Sequence, residues 1–401
     1  MAPEQKDSFI DYLAEFPNYF SMFLIPIYFT TASAMLLEMS TYLRISVANL
    51  NLIFTFFTLG MLVGQLTSVV YNKKFKSVAI VTGAYSLIII FLVILRFSSN
   101  FIVFFAFYLI IGYFSGVIQI QATKYVLENK IKNKDRVMTI FLSTYPLGVL
   151  TAPFIASALV RNKIDWRISY LIMAGLSVLA IISYITMKGG RSNLAKETEE
   201  IIPLKKIFFD KNTNTIFLLG IVIILLFCIS ETVISTWSPT FLRSERMFDI
   251  KYAGYAIAIY IASVLIGRAI LTVCAGKFRS NATIMFLSVL SLAALVFFTF
   301  FNSAWSTFIS IFFVGLGFSG ILTTGVASLG TVYEKGRGVL ASIIFSVINF
   351  GILLAPLLAG QVSKLNMTLS IALSPIFILI LIIVLIIKII YENKIRRRNE
   401  F

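Results

Sequence analysis

Gly148-Val149-Leu150-Thr151-Ala152-Pro153 and Gly351-Ile352-Leu353-Leu354-Ala355-Pro356 are two copies of one pattern, 203 residues apart in a chain of 401. Small residues follow each copy, Ala156 and Ser157 in the first, Ala359 and Gly360 in the second. A second echo lies upstream, where Phe114-Ser115-Gly116 returns as Phe318-Ser319-Gly320 at an offset of 204. All four copies sit inside long apolar runs. Repeats half a chain apart in membrane helices are the sequence mark of a secondary transporter built from two related halves. Gly and Ala four apart share one helix face and let another backbone approach closely. The Pro that follows removes a backbone donor and favours a bend. Gly148, Ala152, Pro153, Gly351, Ala355 and Pro356 are therefore expected to be packing and bending points, with a specific gating role as the alternative.

Working outward, hydrophobic residues make up 59% of the chain and charged residues 13%, well below the quarter typical of soluble domains. Mean hydropathy is +0.93. Twelve apolar runs are long enough to span a bilayer, near 18–40, 47–71, 78–95, 100–124, 137–160, 167–187, 214–238, 252–275, 280–301, 304–331, 339–361 and 367–390. The expected fold is an all-α polytopic membrane protein of twelve transmembrane helices. Residues 1–187 form a six-helix half, 188–213 a charged cytoplasmic linker, 214–392 a second six-helix half and 393–401 a basic tail.

The net charge of +16 does not point to nucleic acid, because of where the cations lie. With the N-terminus inside, inner segments hold 24 Lys and Arg, outer loops hold 9, and Arg268 lies within a span. That bias places both termini in the cytoplasm. The acidic start (Asp7, Asp11, Glu15) is expected to precede a retained first helix instead of a cleaved signal. Abundant Ile, Phe, Lys and Asn suggest a bacterium, and hence its cytoplasmic membrane.

Cys228 and Cys274 fall in spans and suggest neither disulfide nor metal site. Histidine is absent from the chain, which excludes a histidine relay. No P-loop or nucleophile motif is present, so neither an ATP-driven pump nor a membrane enzyme is expected. No cofactor is expected, and a monomer in the lipid bilayer is.

This six-plus-six pattern resembles the major facilitator superfamily. Asp165-Trp166-Arg167-Ile168-Ser169-Tyr170, before span 6, is similar to the Trp-Arg entry common there. The loop 72–76 takes the place of that superfamily's motif between spans 2 and 3, with Asn72 where Asp is expected and Phe75 where Gly is expected. Gly148-x-x-x-Ala152-Pro153 resembles the span-5 motif of drug–proton antiporters, although its copy in span 11 speaks for symmetric architecture. A nearer resemblance is to the fucose–proton symporter family and its TsgA-like branch. It is carried by Ile45-Ser46-Val47-Ala48 through Phe54-Thr55-Phe56-Phe57-Thr58-Leu59-Gly60, by Thr236-Trp237-Ser238-Pro239 with Ile266-Gly267-Arg268, and by Thr323-Thr324 through Ser328-Leu329-Gly330. The resemblance implies a sugar-like solute and H+ as coupling ion. The family's two functional carboxylates would fall at Ala34 and Gln119, so both are missing.

Charge within the spans is confined to a few residues, and such residues usually face a cavity or a partner. Glu231, in span 7, is the leading candidate for proton coupling; a structural hydrogen bond or a solute contact are its alternatives. Glu38, near the outer end of span 1, either reaches water or flanks an entrance, roughly mirroring Glu231. Arg268 could grip a carboxylate or phosphate with two hydrogen bonds, or brace the inner gate. Gln119, Gln121, Tyr145, Thr323, Thr324 and Asn349 offer amides and hydroxyls suited to a small polar solute. Residues 119 and 121 are about 200° apart on a helix, so one should face the cavity and the other a neighbour. Lys124 is expected to snorkel. The sequence thus points to a proton-coupled transporter of a small polar molecule working by alternating access. The alternatives are a proton-driven exporter of drugs, siderophores or metabolites, and a non-transporting membrane sensor.

Overall fold

The computed structural model describes residues 9–399 except 46, 51, 72–75, 129–132, 163, 189–210, 249, 275–276, 302, 331–336 and 364. Most of the expected linker 188–213, and the loop positions Asn72 and Phe75, lie outside the described residues. Sixteen helices are described: α1 (Phe9–Leu13), α2 (Phe16–Ala34), α3 (Leu36–Leu43), α4 (Val47–Leu50), α5 (Leu52–Tyr71), α6 (Ser77–Phe97), α7 (Phe101–Glu128), α8 (Lys134–Arg161), α9 (Ile168–Lys188), α10 (Lys211–Ser244), α11 (Ile250–Cys274), α12 (Ser280–Phe300), α13 (Ala304–Phe318), α14 (Ile321–Gly330), α15 (Arg337–Ser363) and α16 (Met367–Asn399).

Among the described residues ten helices, with α13 and α14 taken as one, are long and apolar enough to cross a membrane, and Leu52–Ser68 is a shorter apolar helix. With the 19-residue α2, these account for the twelve expected spans. Polar residues just ahead of the apolar runs start several of them. Asn100, Asn133 and Asn366 accept backbone N–H groups from Ile102, Arg136 and Thr368, and the Ser303 hydroxyl accepts from Ser306. Such caps satisfy donors the helix cannot and each contribute about 1 kcal/mol.

Two expected spans are broken. Span 1 is split at Met35 into α2 and α3, and α3 ends on Arg44 in the left-handed region at φ 53°. Span 10 is split at Ser319-Gly320 into α13 and α14. Neither Pro of the opening repeat ends its helix: α8 continues through Pro153 and α15 through Pro356.

Contacts divide the chain into two compact units. The first comprises Met1–Lys132, Ile140–Ile201 and Lys335–Ser346, and the second Asn133–Thr139, Ile202–Glu334 and Val347–Phe401. The division is not one cut: the first turn of α8 groups with the second unit, and the equivalent start of α15 with the first. Inside the first unit the Ser342 hydroxyl donates to the Gln65 carbonyl at 2.5 Å.

The units repeat their packing. In the first, α5 packs on α7, α6 on α9 and α2 on α9; in the second, α11 packs on α13, α12 on α16 and α10 on α16. Tyr28 and Ser177 join α2 to α9 at 2.8 Å, as Ser230 and Ser374 join α10 to α16 at 2.6 Å. The opening repeat follows the same rule. A Cβ on Gly148 would lie 2.0 Å from the Phe23 carbonyl oxygen of α2, and one on Gly351 2.9 Å from the Cys228 Cβ of α10. Each copy is where its helix passes the first long helix of its own half.

Outside the spans, the Arg167 guanidinium donates to both carboxylate oxygens of Asp165, which lies 3.4 Å from Arg96. Arg167 also donates to the Tyr42 hydroxyl at 2.8 Å, and Trp166 packs edge-on against Tyr42 and Tyr170. The Arg167 hydrogen bonds hold the Asp165 carboxyl below its ordinary value of 3.8. Its folded-state pKa is lowered, so the stabilisation is present above pH 3.8 and lost as pH falls through the folded value. Asp165→Asn is therefore expected to lower the melting temperature by a few degrees at pH 7, with the difference from wild type shrinking as pH falls below 3.8. Parallel melting curves across that range check it.

Candidate functional site

The second unit brings the two leading charged residues into one cluster. Glu231 and Phe227 lie one turn apart on α10, and Tyr260 and Arg268 lie two turns, about 12 Å, apart on the same face of α11. Phe318, the last residue of α13, packs edge-on against both Phe227 and Tyr260, with ring centroids 5.3 and 6.4 Å away. Arg268 is buried and is the counter-charge that acts on the Glu231 carboxylate. The Tyr260 hydroxyl is buried and faces that carboxylate without closing a hydrogen bond of normal length and angle. Glu231 itself is half-buried. An acid, a cation and a buried phenol therefore lie close together beside the rings of Phe227 and Phe318.

The broken span explains where Arg268 goes. Ending α13 at Phe318 leaves carbonyls at the break without intrahelical donors, and Arg268 Nε donates to the Ser319 carbonyl at 3.3 Å. Its adjacent glycine is required for this approach, because a Cβ on Gly267 would sit 2.4 Å from the Ser319 hydroxyl oxygen.

The first unit holds a neutral counterpart that the sequence reading did not single out. Gly64-Gln65 corresponds to Gly267-Arg268 at the same offset of 203. Gln65 is fully buried, and its amide nitrogen donates to Gln119 Oε1 at 2.6 Å while its own Oε1 has no partner. Gln119 in turn reaches the Met22 sulfur at 3.7 Å. Here Phe114-Ser115-Gly116 stays within the unbroken α7. The first half thus has an amide where the second has a cation, and a continuous helix where the second has a break.

The other expected residues fall in several places. Gln121 donates to Ser68 at 3.0 Å, so both Gln119 and Gln121 bond to α5, contrary to the expected division between cavity and neighbour. The reason is the closeness of α5 and α7, whose glycines let their backbones touch and bring α5 across a wide face of α7. Thr323 is fully buried, its hydroxyl donating to the Gly320 carbonyl at 3.2 Å. Thr324 and Asn349 are buried in the second unit. Tyr145 is half-buried against the core of the first unit. Lys124 is buried instead of snorkelling, with 8% of its surface exposed.

Glu38 is half-buried in the first turn of α3, where the helix dipole favours a carboxylate. At the offset of 203 it corresponds to Phe241, and Glu231 to Tyr28, so the two acids are not mirror positions. Glu15, read in the sequence only as part of an acidic start, is buried. Asn18 donates to it, Tyr184 donates to Asn18 at 2.8 Å, and Tyr85 donates to Ser21 at 2.8 Å in the same α2–α6–α9 core. No group of three His, Cys, Asp or Glu among the described residues is arranged to hold a metal ion.

The family profile described as Major Facilitator Superfamily matches residues 16–313. No curated protein sequence matches the chain significantly. Solved structures similar to it include the transporter FucP in the outward conformation, with a TM-score of 0.77 at 12% identity, covering 94% of this chain and 99% of that one. A variant of the E. coli fucose:proton symporter FucP scores 0.76 at 12% identity with the same coverage. The human organic anion transporter MFSD10 scores 0.73, also at 12% identity, with coverage of 94% and 99%. At this identity the likeness establishes the fold alone.

Proposed function

Because the chain belongs to the Major Facilitator Superfamily, and is on that ground a secondary transporter, we propose that it couples movement of a small polar solute to protons through Glu231. The observation that supports this most is the closeness of a half-buried Glu231 to Tyr260 and Arg268. A carboxyl there can exchange a proton with water, and Arg268 supplies a counter-charge that a bound anionic or hydroxylated group can compete for. The amides of Gln65 and Gln119 and the hydroxyl of Thr323 are offered as further solute contacts. The two halves, 1–187 and 214–392 with the linker 188–213 between them, would rock about the solute to expose it alternately on each side. In this reading the cation bias supports cytoplasmic termini, and the abundance of Ile, Phe, Lys and Asn supports a bacterial cytoplasmic membrane.

The opening repeat does not favour the exporter. Each copy packs α8 or α15 on the first long helix of its own half, which is architecture common to both halves and carries no sign of transport direction.

The test is a thermal-stability screen of the purified protein against sugars, amino acids, polyamines and siderophores. A ligand at about one hundred times its Kd adds about 2.7 kcal/mol to the folded state. A sugar-like or other small polar solute is expected to raise the melting temperature of wild type, and to raise that of Arg268→Ala by less than half as much. A shift from siderophores alone, or from none of these solutes, would contradict the polar-solute assignment.

A further inference from the structure

A cavity is lined by residues other than those of the Glu231 cluster. It has a volume of about 540 Å³, and every residue lining it belongs to the second unit. Its walls come from α11, α12, the α13–α14 break and the first turn of α8. Most of them are aliphatic or aromatic. Phe278 and Phe286 stand at the rim, 67% and 69% exposed. Asp135 is the one charged residue among those that line it. Gly267 lines the cavity while the next residue, Arg268, donates to the carbonyl of Ser319, another lining residue. The cavity therefore reaches the backbone beside Arg268 without being lined by Arg268 or Glu231.

We infer that this cavity is a binding site for amphiphilic organic cations, distinct from the polar-solute site around Glu231. The volume lies within the range of about 300–1,000 Å³ that takes small organic ligands, and such sites are mainly apolar with few polar groups. The single carboxylate sets the sign of the charge. An organic cation seated here gains attraction to Asp135 in a poorly hydrated setting, and its positive face can lie against the rings of Phe278 and Phe286. An organic anion of the same shape meets the same apolar walls and a repelling carboxylate. A fully polar solute of the kind proposed for Glu231 would lose its hydration against aliphatic walls without replacement hydrogen bonds.

The chain carries its own reporter. Cys274 lines the cavity and is half-buried, whereas Cys228 is 1% exposed. Purified protein in nanodiscs of uncharged phosphatidylcholine is labelled with N-ethylmaleimide, and modification of Cys274 is followed by mass spectrometry. Tetraphenylphosphonium is expected to slow this labelling at least about fivefold, an occupancy effect of roughly 1 kcal/mol. Tetraphenylborate, alike in shape and opposite in charge, should leave the rate unchanged at equal concentration. Asp135→Asn should remove the protection by the phosphonium and keep the unprotected rate. Leu290→Trp, which fills the cavity and leaves the carboxylate in place, should remove it as well. Equal protection by both ions would mean an apolar groove that takes any apolar body, and would overturn the assignment. So would protection that persists in Asp135→Asn, or labelling that the phosphonium does not slow.

Discussion

In proteoliposomes, Glu231→Gln is expected to abolish uphill accumulation driven by a pH gradient while leaving solute exchange intact. A difference of about two pH units is worth about 2.7 kcal/mol per proton, enough to sustain a roughly hundredfold solute gradient. Wild-type vesicles should approach that ratio for a one-proton stoichiometry, and the variant should fall to equilibration. The amide keeps the shape and the hydrogen-bonding capacity of the carboxyl towards Tyr260, and removes only the exchangeable proton and the charge facing Arg268. If Glu231 were a structural brace, Gln would serve almost as well and accumulation would persist. Losing the acid leaves Arg268 buried beside a neutral group, which is costly. Exchange by the same variant therefore shows that the protein is still folded, and Glu231→Asp, which restores an ionisable group, should recover part of the accumulation.

The second large effect concerns the fold. A Cβ on Gly60 would lie 2.0 Å from the Leu109 carbonyl oxygen, one on Gly64 2.0 Å from that of Tyr113, one on Gly112 2.1 Å from that of Phe57, and one on Gly116 2.3 Å from that of Met61. Two pairs of glycines four apart, facing each other, thus bring α5 and α7 into backbone contact. No rotamer change relieves a clash between a Cβ and a carbonyl oxygen, so the helices must separate. Separation also pulls apart Gln65 and Gln119, and Ser68 and Gln121. Gly64→Val is expected to cost at least the 1–3 kcal/mol of ordinary overpacking and to prevent recovery of a monodisperse protein. Gly64→Ala should lower the melting temperature measurably. Gly83 and Gly175 are internal controls, because a Cβ at either meets nothing within 4 Å. Alanine there should be neutral or stabilising by up to about 1 kcal/mol. Equal melting temperatures for Gly64→Ala and Gly83→Ala would refute the close crossing.

Much of this was legible in the sequence because bilayer physics is restrictive. An apolar run bounded by basic loops has few readings, and the runs near 78–95 and 280–301 reappear as Ser77–Phe97 and Ser280–Phe300. The doubled Gly-x-x-x-Ala-Pro located the shared packing points of α8 and α15. Glu231 and Arg268 stood out because charge inside a span is expensive, and the structure places them in one cluster.

What could not be read were features with no local signature. The breaks at Met35 and at Ser319-Gly320 interrupt sequences that are apolar on both sides, and the Phe-Ser-Gly that breaks in α13 is helical in α7. The tertiary surroundings differ, since at the α13 break Arg268 supplies a donor to the Ser319 carbonyl. Gln65 and Tyr260 are residue types common in membrane helices, so neither drew notice alone. Gln65 gains meaning only when Gly64-Gln65 is set against Gly267-Arg268. The positions of Gln119 and Gln121 could not be resolved by helical angle, because the glycine-lined crossing turns both towards α5.

The central claim, that solute and proton move together, is tested most directly by measuring the proton. Wild-type proteoliposomes in weak buffer, with no initial pH difference, receive the stabilising solute from the screen on the outside, and external pH is recorded as labelled solute enters. Coupled uptake predicts a transient alkalinisation of the outer medium that Glu231→Gln lacks. Solute entry with no change in pH would contradict proton coupling, and acidification would mark the protein as an antiporter.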